Sequence, residues 1–315
     1  MKVYDDREDF PLVSVLILSY NNLDGILPTL KSILSQDYPN IEIVISDDGT
    51  PGFIEVAPSL SAYVEGFLGP HRDLLLNPIE ENSGTVKNAN SAIRLAHGQY
   101  IKTISPDDVF TTNSAISEYV GFMKSHDFLV CFAKMRGIDE EGNIYRDLAA
   151  CDTDYGALQK LSPEQVLDRL YARNFLPGAA EFFDREVFNK YGLFDERIRL
   201  IEDYTYWLHL AQNSVCFGFL DEVLIDYSLS GVSSSGSYGT LFMEDLISVY
   251  ALYIFPFDRR YGVFQSIYNS LKKRGLSYYL EKATFSEMSY ARKVWFTIRY
   301  LPYCIYTRYA NTNKI

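Results

Sequence analysis

Three pairs of adjacent acidic residues, Asp47-Asp48, Asp107-Asp108 and Glu202-Asp203, are the places where this chain is equipped to do chemistry. The first pair follows the apolar run Ile41–Ile45 and the second follows Tyr100–Ile104. Ionised carboxylates cannot hydrogen-bond to one another, so clustering them costs energy unless a cation or a donor-rich ligand answers the charge. In a parallel α/β sheet, ligands bind at the carboxyl ends of the strands, where loops and helix N-termini converge. Two acidic pairs at neighbouring strand ends therefore point to a divalent metal, a polar ligand such as a nucleotide sugar, or both. Glu202-Asp203 opens an amphipathic segment; taken alone, it is a favourable charge arrangement for a helix N-terminus.

The elements that must hold these pairs are legible as alternating strand and helix signals. Val13–Leu18, Ile41–Ile45, Leu74–Leu76 and Tyr100–Ile104 read as short buried strands. Between them lie helical patterns over Asp24–Gln36, within Phe53–Phe67, and over Thr85–Ala96, the last ending at Gly98. Pro28 fits the first of these helices in its first turn. A βαβαβαβ run of this kind implies a mostly parallel sheet with right-handed crossovers.

After Asp108 the rhythm changes. Asn113–Lys124 reads as a helix, Phe128–Phe132 as a strand, and Ile138–Ile144 as a hairpin turn region. Ser162 and Gln165 form a capping box for a helix over Pro163–Tyr171. Glu202–Gln212 reads as a helix, and Val215–Phe219 and Val223–Tyr227 as two strands. Ser228–Thr240, rich in Ser and Gly, reads as a mobile lid-like loop, and Leu241–Tyr309 as helical with breaks near Pro256, Gly275 and Pro302.

Composition bounds the function. With 315 residues, 47% hydrophobic and 22% charged, the chain can bury a sizeable core. A formal net charge of −12 argues against nucleic acid as a partner. That charge is uneven: from Arg259 onward there are 11 Lys+Arg against 2 Asp+Glu, a net +9 that leaves −21 on the rest. In the tail, Arg292 and Arg299 share a helix face by spacing, with Val294, Trp295 and Ile298 directed away from them. This suits either a helix at an anionic membrane surface or an extension that packs on the catalytic domain or on a second copy, giving a homodimer. The four cysteines, Cys131, Cys151, Cys216 and Cys304, lack metal-type spacing and read as free thiols of a reducing cytoplasm. Met1–Asp6 does not read as a signal peptide, and no apolar stretch reaches the ~20 residues that span a bilayer. His71, His97, His126 and His209 have no ligand-like spacing and read as structural or exposed.

Taken together, the separated motifs resemble the family 2 glycosyltransferases of the GT-A fold, over roughly residues 12 to 230. Val13–Asn22 resembles the family's opening strand and Tyr-Asn turn, and Ile41–Thr50 its Asp-Asp-Gly-Ser motif. Asn82-Ser83-Gly84, Asn90 and Ala96–Ile101 follow its next spacing, and Ser105-Pro106-Asp107-Asp108 occupies the Asp-x-Asp position. Tyr191–Glu196 followed by Ile201–Trp207 resembles the region ending in the Glu-Asp catalytic motif. The resemblance implies a Rossmann-like, mixed, mostly parallel sheet flanked by helices, with a helical C-terminal extension. The domain limits it suggests are 1–240 (a nucleotide-sugar half over about 12–110 and an acceptor half over 111–240) and 241–315.

The resemblance also implies roles. Asp203 is the expected general base for inverting transfer, with Glu202 in support. Asp108 is the expected ligand of Mn²⁺ or Mg²⁺, with Asp107 reaching the ribose or a metal-bound water. Ser19, Tyr20, Asn21, Asp47, Asp48, Lys87 and Asn90 are expected around the nucleotide sugar, Asn90 through backbone near the Asp107 loop. Gly178, in Pro177–Ala180, and Trp207 are expected on the acceptor side. The donor would be a nucleoside-diphosphate sugar, UDP-linked by expectation. The acceptor would be a glycan or lipid-linked hydroxyl in surface polysaccharide synthesis, at or near the inner face of a bacterial cytoplasmic membrane. Three positions depart from the family pattern. Ser105 replaces the first Asp of Asp-x-Asp, Ala89 stands where many relatives have Arg, and Tyr227-Ser228-Leu229-Ser230 lacks the Arg and His of a Tyr-Arg-x-His segment. A nucleotidyltransferase is the rival enzyme reading, disfavoured because Ser19–Asn22 lacks a Gly-rich basic phosphate loop; a non-catalytic carbohydrate-binding protein is the other.

Overall fold

Parallel pairing begins where the apolar runs predict it. A computed structural model describes residues 10–67, 72–139, 141–145, 153–229, 239–259, 262, 265–283, 292–297 and 299–300. The first strands and helices are β1 (Val13–Ser19), α1 (Ile26–Leu34), β2 (Ile41–Asp48), α2 (Phe53–Glu65), β3 (Arg72–Ile79), α3 (Thr85–Leu95) and β4 (Tyr100–Ile104). β1 pairs in parallel with β2 and β4, and β2 with β3, the register running Ser19 to Asp47 and Asp48 to Ile79. Ser19, Asp47-Asp48 and the residues after Ile104 thus emerge at one edge of the sheet.

Two layers of helix cover this sheet. Val13, Val15 and Ile17 with Ile41, Ile43 and Ile45 share a core with Ile26, Leu30, Phe53, Ala57 and Val64 of α1 and α2. Leu16 and Val44, one residue out of phase, are also fully buried, as the two-residue strand period requires. α3 packs on β1 and β2, burying Val86, Ala89, Ala92 and Ile93.

The chain continues with β5 (Val109–Phe110), α4 (Ala115–Ser125), β6 (Val130–Ile138), β7 (Ile144–Tyr145), α5 (Tyr155–Leu158), α6 (Pro163–Ala172), β8 (Glu181–Asp184), α7 (Glu186–Tyr191), α8 (Glu202–Gln212) and β9 (Gly218–Ser228). The sheet order is β3-β2-β1-β4-β8-β6-β9-β5, with β7 on β6. β8 runs antiparallel to β4 and β6, and β5 antiparallel to β9, which makes the sheet mixed. The capping box is present: Ser162 Oγ accepts from Gln165 N, and Gln165 Oε1 accepts from Ser162 N.

Several elements differ from the periodicity reading. Gly218-Phe219, the end of the expected Val215–Phe219 strand, and Val223–Tyr227 belong to a single strand, β9, whose irregular register against β6 carries Asp221 and Glu222 through the interruption, while Val215–Phe217 precede it without strand pairing. β5, β8, α5 and α7 are too short for a periodic signal, and pairing with distant strands sustains the first two. Most of the Ser228–Thr240 loop, together with His71, Cys151, Ser230, Pro302 and Cys304, lies outside the described residues.

The chain divides into two compact units, Met1–Gly231 and Val232–Ile315. The second contains α9 (Thr240–Val249), a π-helical turn over Tyr250–Ile254 and α10 (Gln265–Ala283), with helix again over 292–297. α10 runs through Gly275, so the break expected there is absent. Phe296 and Tyr300 are buried against Tyr278. Trp295 is exposed, and the Arg299 guanidinium lies over its ring at 5.6 Å, so these two share a face rather than diverging. Among the described residues no helix is long and apolar enough to cross a membrane.

Candidate active site

Each acidic pair sits in a local frame that its own neighbours build. Asp47 ends the β2 ladder with its carboxylate turned on the following loop: Oδ1 accepts from Thr50 N and Oδ2 from Thr50 Oγ1, both at 2.7 Å. Thr50 Oγ1 in turn accepts from Asn21 N at 2.8 Å, which ties the loop after β1 to the loop after β2. Asn21 is left-handed (φ 51°), a conformation Asn tolerates. Asp48 Oδ1 accepts from Ser83 N and Oγ, and Oδ2 from Gly84 N. Both aspartates are almost fully buried, so their first role is to hold three loops at the sheet edge. The pair was expected to accept hydrogen bonds from a nucleobase or ribose; in the protein alone its oxygens are engaged by these loops. Both oxygens of Asp47 and Oδ2 of Asp48 each keep a second lone pair, whereas Asp48 Oδ1 already accepts twice.

Around them, Ser19 Oγ is buried without a partner among the described residues, while Tyr20 is exposed beside it. Lys87 is exposed on α3. Asn90 departs from expectation. Its amide donates to Phe194 O at 2.9 Å and Glu196 Oε1 at 3.0 Å, and its Oδ1 accepts from Phe194 N at 3.0 Å. Fully buried, it straps α3 to the segment leading into Glu202 instead of bonding near the Asp107 loop.

Arg199 was not singled out by sequence reasoning. Its Nη2 donates to Asn82 O and Oδ1, and its carbonyl accepts from Val86 N. Gly84, at φ 94°, leaves the space that this side chain crosses: a Cβ there would fall 2.3 Å from Arg199 Cγ. A cation therefore lies across the Asn82–Gly84 turn. The only sequence hint was the glycine.

The second pair divides its labour. Asp107 is left-handed (φ 74°), accepts at Oδ2 from Asn22 Nδ2 at 2.7 Å, and donates its N–H to Gly25 O. Gly25 permits this approach, since a Cβ there would come within 2.7 Å of all three carboxylate atoms of Asp107. Asp108 is 2% exposed; its Oδ1 accepts from Ser228 N at 2.8 Å, while Oδ2 has no partner among the described residues. Burial is the main cause that pushes the Asp108 carboxyl up to about 7, against the opposing pull of Ser228 N–H and Lys102. Among the described residues no group of three or more His, Cys, Asp or Glu side chains forms a metal cage. A lone, unpartnered carboxylate oxygen nevertheless fits a hard cation that takes its remaining ligands from phosphates and water.

The third pair opens α8 with both side chains half-buried. Asp203 Oδ2 accepts from Asn174 Nδ2 at 2.7 Å, and Oδ1 faces Tyr204 N at 2.6 Å. Asn174 is a second residue the sequence did not disclose, since nothing in its neighbourhood marks it. Gly178 seats the carboxylate: a Cβ there would stand 2.7 Å from Asp203 Oδ2. Burial raises both carboxyls of the pair, and for Glu202 the neighbouring Asp203 and then Glu181 add to it. A carboxylate whose affinity for protons is raised in this way is a stronger base than an exposed one. Trp207, expected against an acceptor, is instead a core residue. It is 1% exposed, with its ring 4.8 Å from Phe132 and 5.7 Å from Phe183, because the α8 face carrying it turns into the sheet.

The described histidines are structural or exposed. His97 caps the buried Glu42, and His209 contacts Tyr191 O.

Comparison with known proteins gives the same frame. The model of the family described as Glycosyl transferase family 2 matches residues 14–192. The putative colanic acid biosynthesis glycosyl transferase WcaA of Escherichia coli is 29% identical over 210 residues, 64% of this chain and 66% of WcaA. The chain spans 63% or less of the length of three similar Rickettsia glycosyltransferases. Among solved structures, the mannosyltransferase PcManGT of Pyrobaculum calidifontis, in complex with GDP-Man and Mn²⁺, aligns over 95% of this chain and 84% of its own, with a TM-score of 0.59 at 18% identity. Residues 1–349 of S. aureus TarS, in complex with UDP-GlcNAc, align over 87% of this chain and 73% of that one, with a TM-score of 0.56 at 19% identity. These likenesses establish a GT-A fold.

Proposed function

From a chain that belongs to glycosyl transferase family 2, we propose inverting transfer of a sugar from a nucleoside-diphosphate donor to an acceptor hydroxyl, with Asp203 as the general base. The observation that carries this reading is the seat of Asp203. Its carboxylate opens α8, is pinned by Asn174, packs on a glycine, and shares a raised affinity for protons with Glu202. The acceptor oxygen attacks the anomeric carbon as the bond to the diphosphate breaks. The hydroxyl proton passes to Asp203, and the nucleoside diphosphate leaves with the bonding electrons. The chemistry needs a base whose affinity for protons rises with desolvation, and this pair has it.

The donor nucleotide is assigned to the edge formed by Ser19–Asn21 and the Thr50 and Ser83–Gly84 loops, which Asp47 and Asp48 hold together. Tyr20 offers an aromatic face to a base, and Arg199 and Lys87 offer cations. Asp107 is assigned to the ribose side. Asp108 would hold a divalent cation through its unpartnered Oδ2. When bound, Mn²⁺ or Mg²⁺ would neutralise charge on the departing diphosphate. The bound GDP-Man, UDP-GlcNAc and Mn²⁺ of the fold relatives support these assignments.

The likeness to WcaA supports a surface polysaccharide or lipid-linked acceptor. The exposed Trp295 stacked under Arg299, in a tail of net +9, supports contact of that tail with an anionic membrane surface at the cytoplasmic face, ahead of packing on a second copy.

The test is Asp203→Asn, assayed by UDP or GDP release from UDP-N-acetylglucosamine and GDP-mannose with and without Mn²⁺. Release should fall by at least a hundredfold while calorimetric affinity for UDP or GDP stays within twofold. Normal release by a folded Asp203→Asn variant would remove Asp203 from the role of base.

A further inference from the structure

Lys102 and Glu181 form an ion pair with side chains 0% and 2% exposed, far inside the sheet. Neither was marked by the sequence patterns, and an ordinary core would place apolar residues there. Burial of unpaired charge is costly, so removing either member of such a pair strands the other.

The partners of Lys102 Nζ are informative. An ammonium has three donors. One reaches Glu181 Oε1 at 3.4 Å, one the carbonyl of Thr103, and one the carbonyl of Ala179 at 2.9 Å. Glu181 Oε1 also accepts from Thr103 Oγ1, while Oε2 is buried with no partner among the described residues. Ala179 belongs to the turn closed by Ala180 N–H donating to Pro177 O. Gly178, the residue between, is the seat of Asp203. Ala180 O is held in turn by Ala133 N and Tyr119 Oη.

We propose that the buried Lys102–Glu181 pair is a positioning device that clamps the Pro177–Ala180 turn from below and so fixes the seat of Asp203. This rests on the reading of Asp203 as base. Lys102 acts through the turn and touches no reacting atom. A charged pin suits the task better than an apolar side chain, because a directed bond to one carbonyl fixes the height and orientation of a peptide plane. Dispersion contacts would leave that plane free to shift by tenths of an ångström. The charge of Glu181 also falls on Glu202, which couples the pin electrically to the acidic pair.

The decisive experiment compares Lys102→Met with the double variant Lys102→Met/Glu181→Leu in the full chain. The double variant leaves no uncompensated charge, so a purely structural role predicts recovery of both stability and function. The positioning role predicts recovery of the melting temperature only. In the double variant, hydrogen exchange across 174–181 should accelerate at least tenfold while amides of β1 and β2 keep their protection. UDP or GDP release from UDP-N-acetylglucosamine or GDP-mannose should fall at least tenfold, with UDP and GDP affinity within twofold of the parent. Native exchange across 174–181 in a folded double variant overturns the proposal, as does acceleration spread evenly over the sheet. Asp203→Asn run alongside separates the two readings: if it turns over normally the base assignment fails, and the exchange data still judge the clamp.

Discussion

Gly178→Ala is the sharpest test of how narrowly the acceptor side is built. The added methyl carbon would stand 2.7 Å from Asp203 Oδ2, 3.1 Å from its Cβ and 3.2 Å from its Cγ, whereas ordinary contact begins at 3.4 Å. The nearest oxygen must therefore retreat by about 0.7 Å. It cannot do so freely, because Asn174 holds Oδ2 at 2.7 Å and Tyr204 N lies 2.6 Å from Oδ1. Misplacing a reacting group by about 1 Å costs on the order of a hundredfold in rate. A shift somewhat smaller than that should lower kcat by roughly 10- to 50-fold, or about 1.4–2.3 kcal/mol of barrier.

Stability should move little. The displaced atoms belong to the end of a half-buried side chain. Replacing Gly by Ala also removes unfolded-chain entropy worth about 0.4–1 kcal/mol where the backbone allows it. The assay pairs nucleoside diphosphate release at saturating donor with a thermal melt of the same preparation. A folded Gly178→Ala variant that turns over at the parental rate would refute the claim that Asp203 acts from this seat. A variant that loses rate and several kcal/mol of stability together would refute the claim that the effect is positional.

Two further outcomes follow from the donor side. Asp108 is an acid whose folded-state pKa is raised, so folding favours its protonated form. In metal-free protein its contribution is present at low pH and is lost as pH rises through about 7, and an Asp108→Asn variant lacks that loss. Asp108→Asn should therefore melt close to the parent at pH 4 and be more stable at pH 8, by on the order of 4 kcal/mol, as read by urea unfolding with EDTA. Equal stability at both pH values would remove the strain assigned to this carboxylate. Gly25→Ala should displace the Asp107 carboxylate and weaken UDP or GDP binding roughly tenfold, and calorimetry showing parental affinity would take Asp107 out of the nucleotide site.

Much of the region from β1 to β4 could be read directly because its signals are local. A buried parallel strand is a short apolar run, an acidic pair immediately after it lies at the strand end, and α1, α2 and α3 repeat apolar residues at helical spacing. The three acidic pairs, the capping box at Ser162 and the glycines beside them were visible in the same way. The region after β4 was less legible. β5 and β8 are two and four residues long and exist because distant strands pair with them.

What the sequence determined by itself is the order of the elements from β1 to β4 and the identity of the charged residues at the strand ends. Tertiary structure alone decided what each of those residues faces. Asp47 and Asp48 were legible as a pair, but only the closure of three loops showed their oxygens occupied by Thr50, Ser83 and Gly84. Trp207 was expected on the acceptor side, and only the orientation of α8 placed it in the core. Asn174, Arg199 and the Lys102–Glu181 pin carry no local signature, because their partners lie 29, 117 and 79 residues away. Local periodicity reports on neighbours within a turn or a pleat. A site is assembled from groups that meet only after the chain has crossed the sheet.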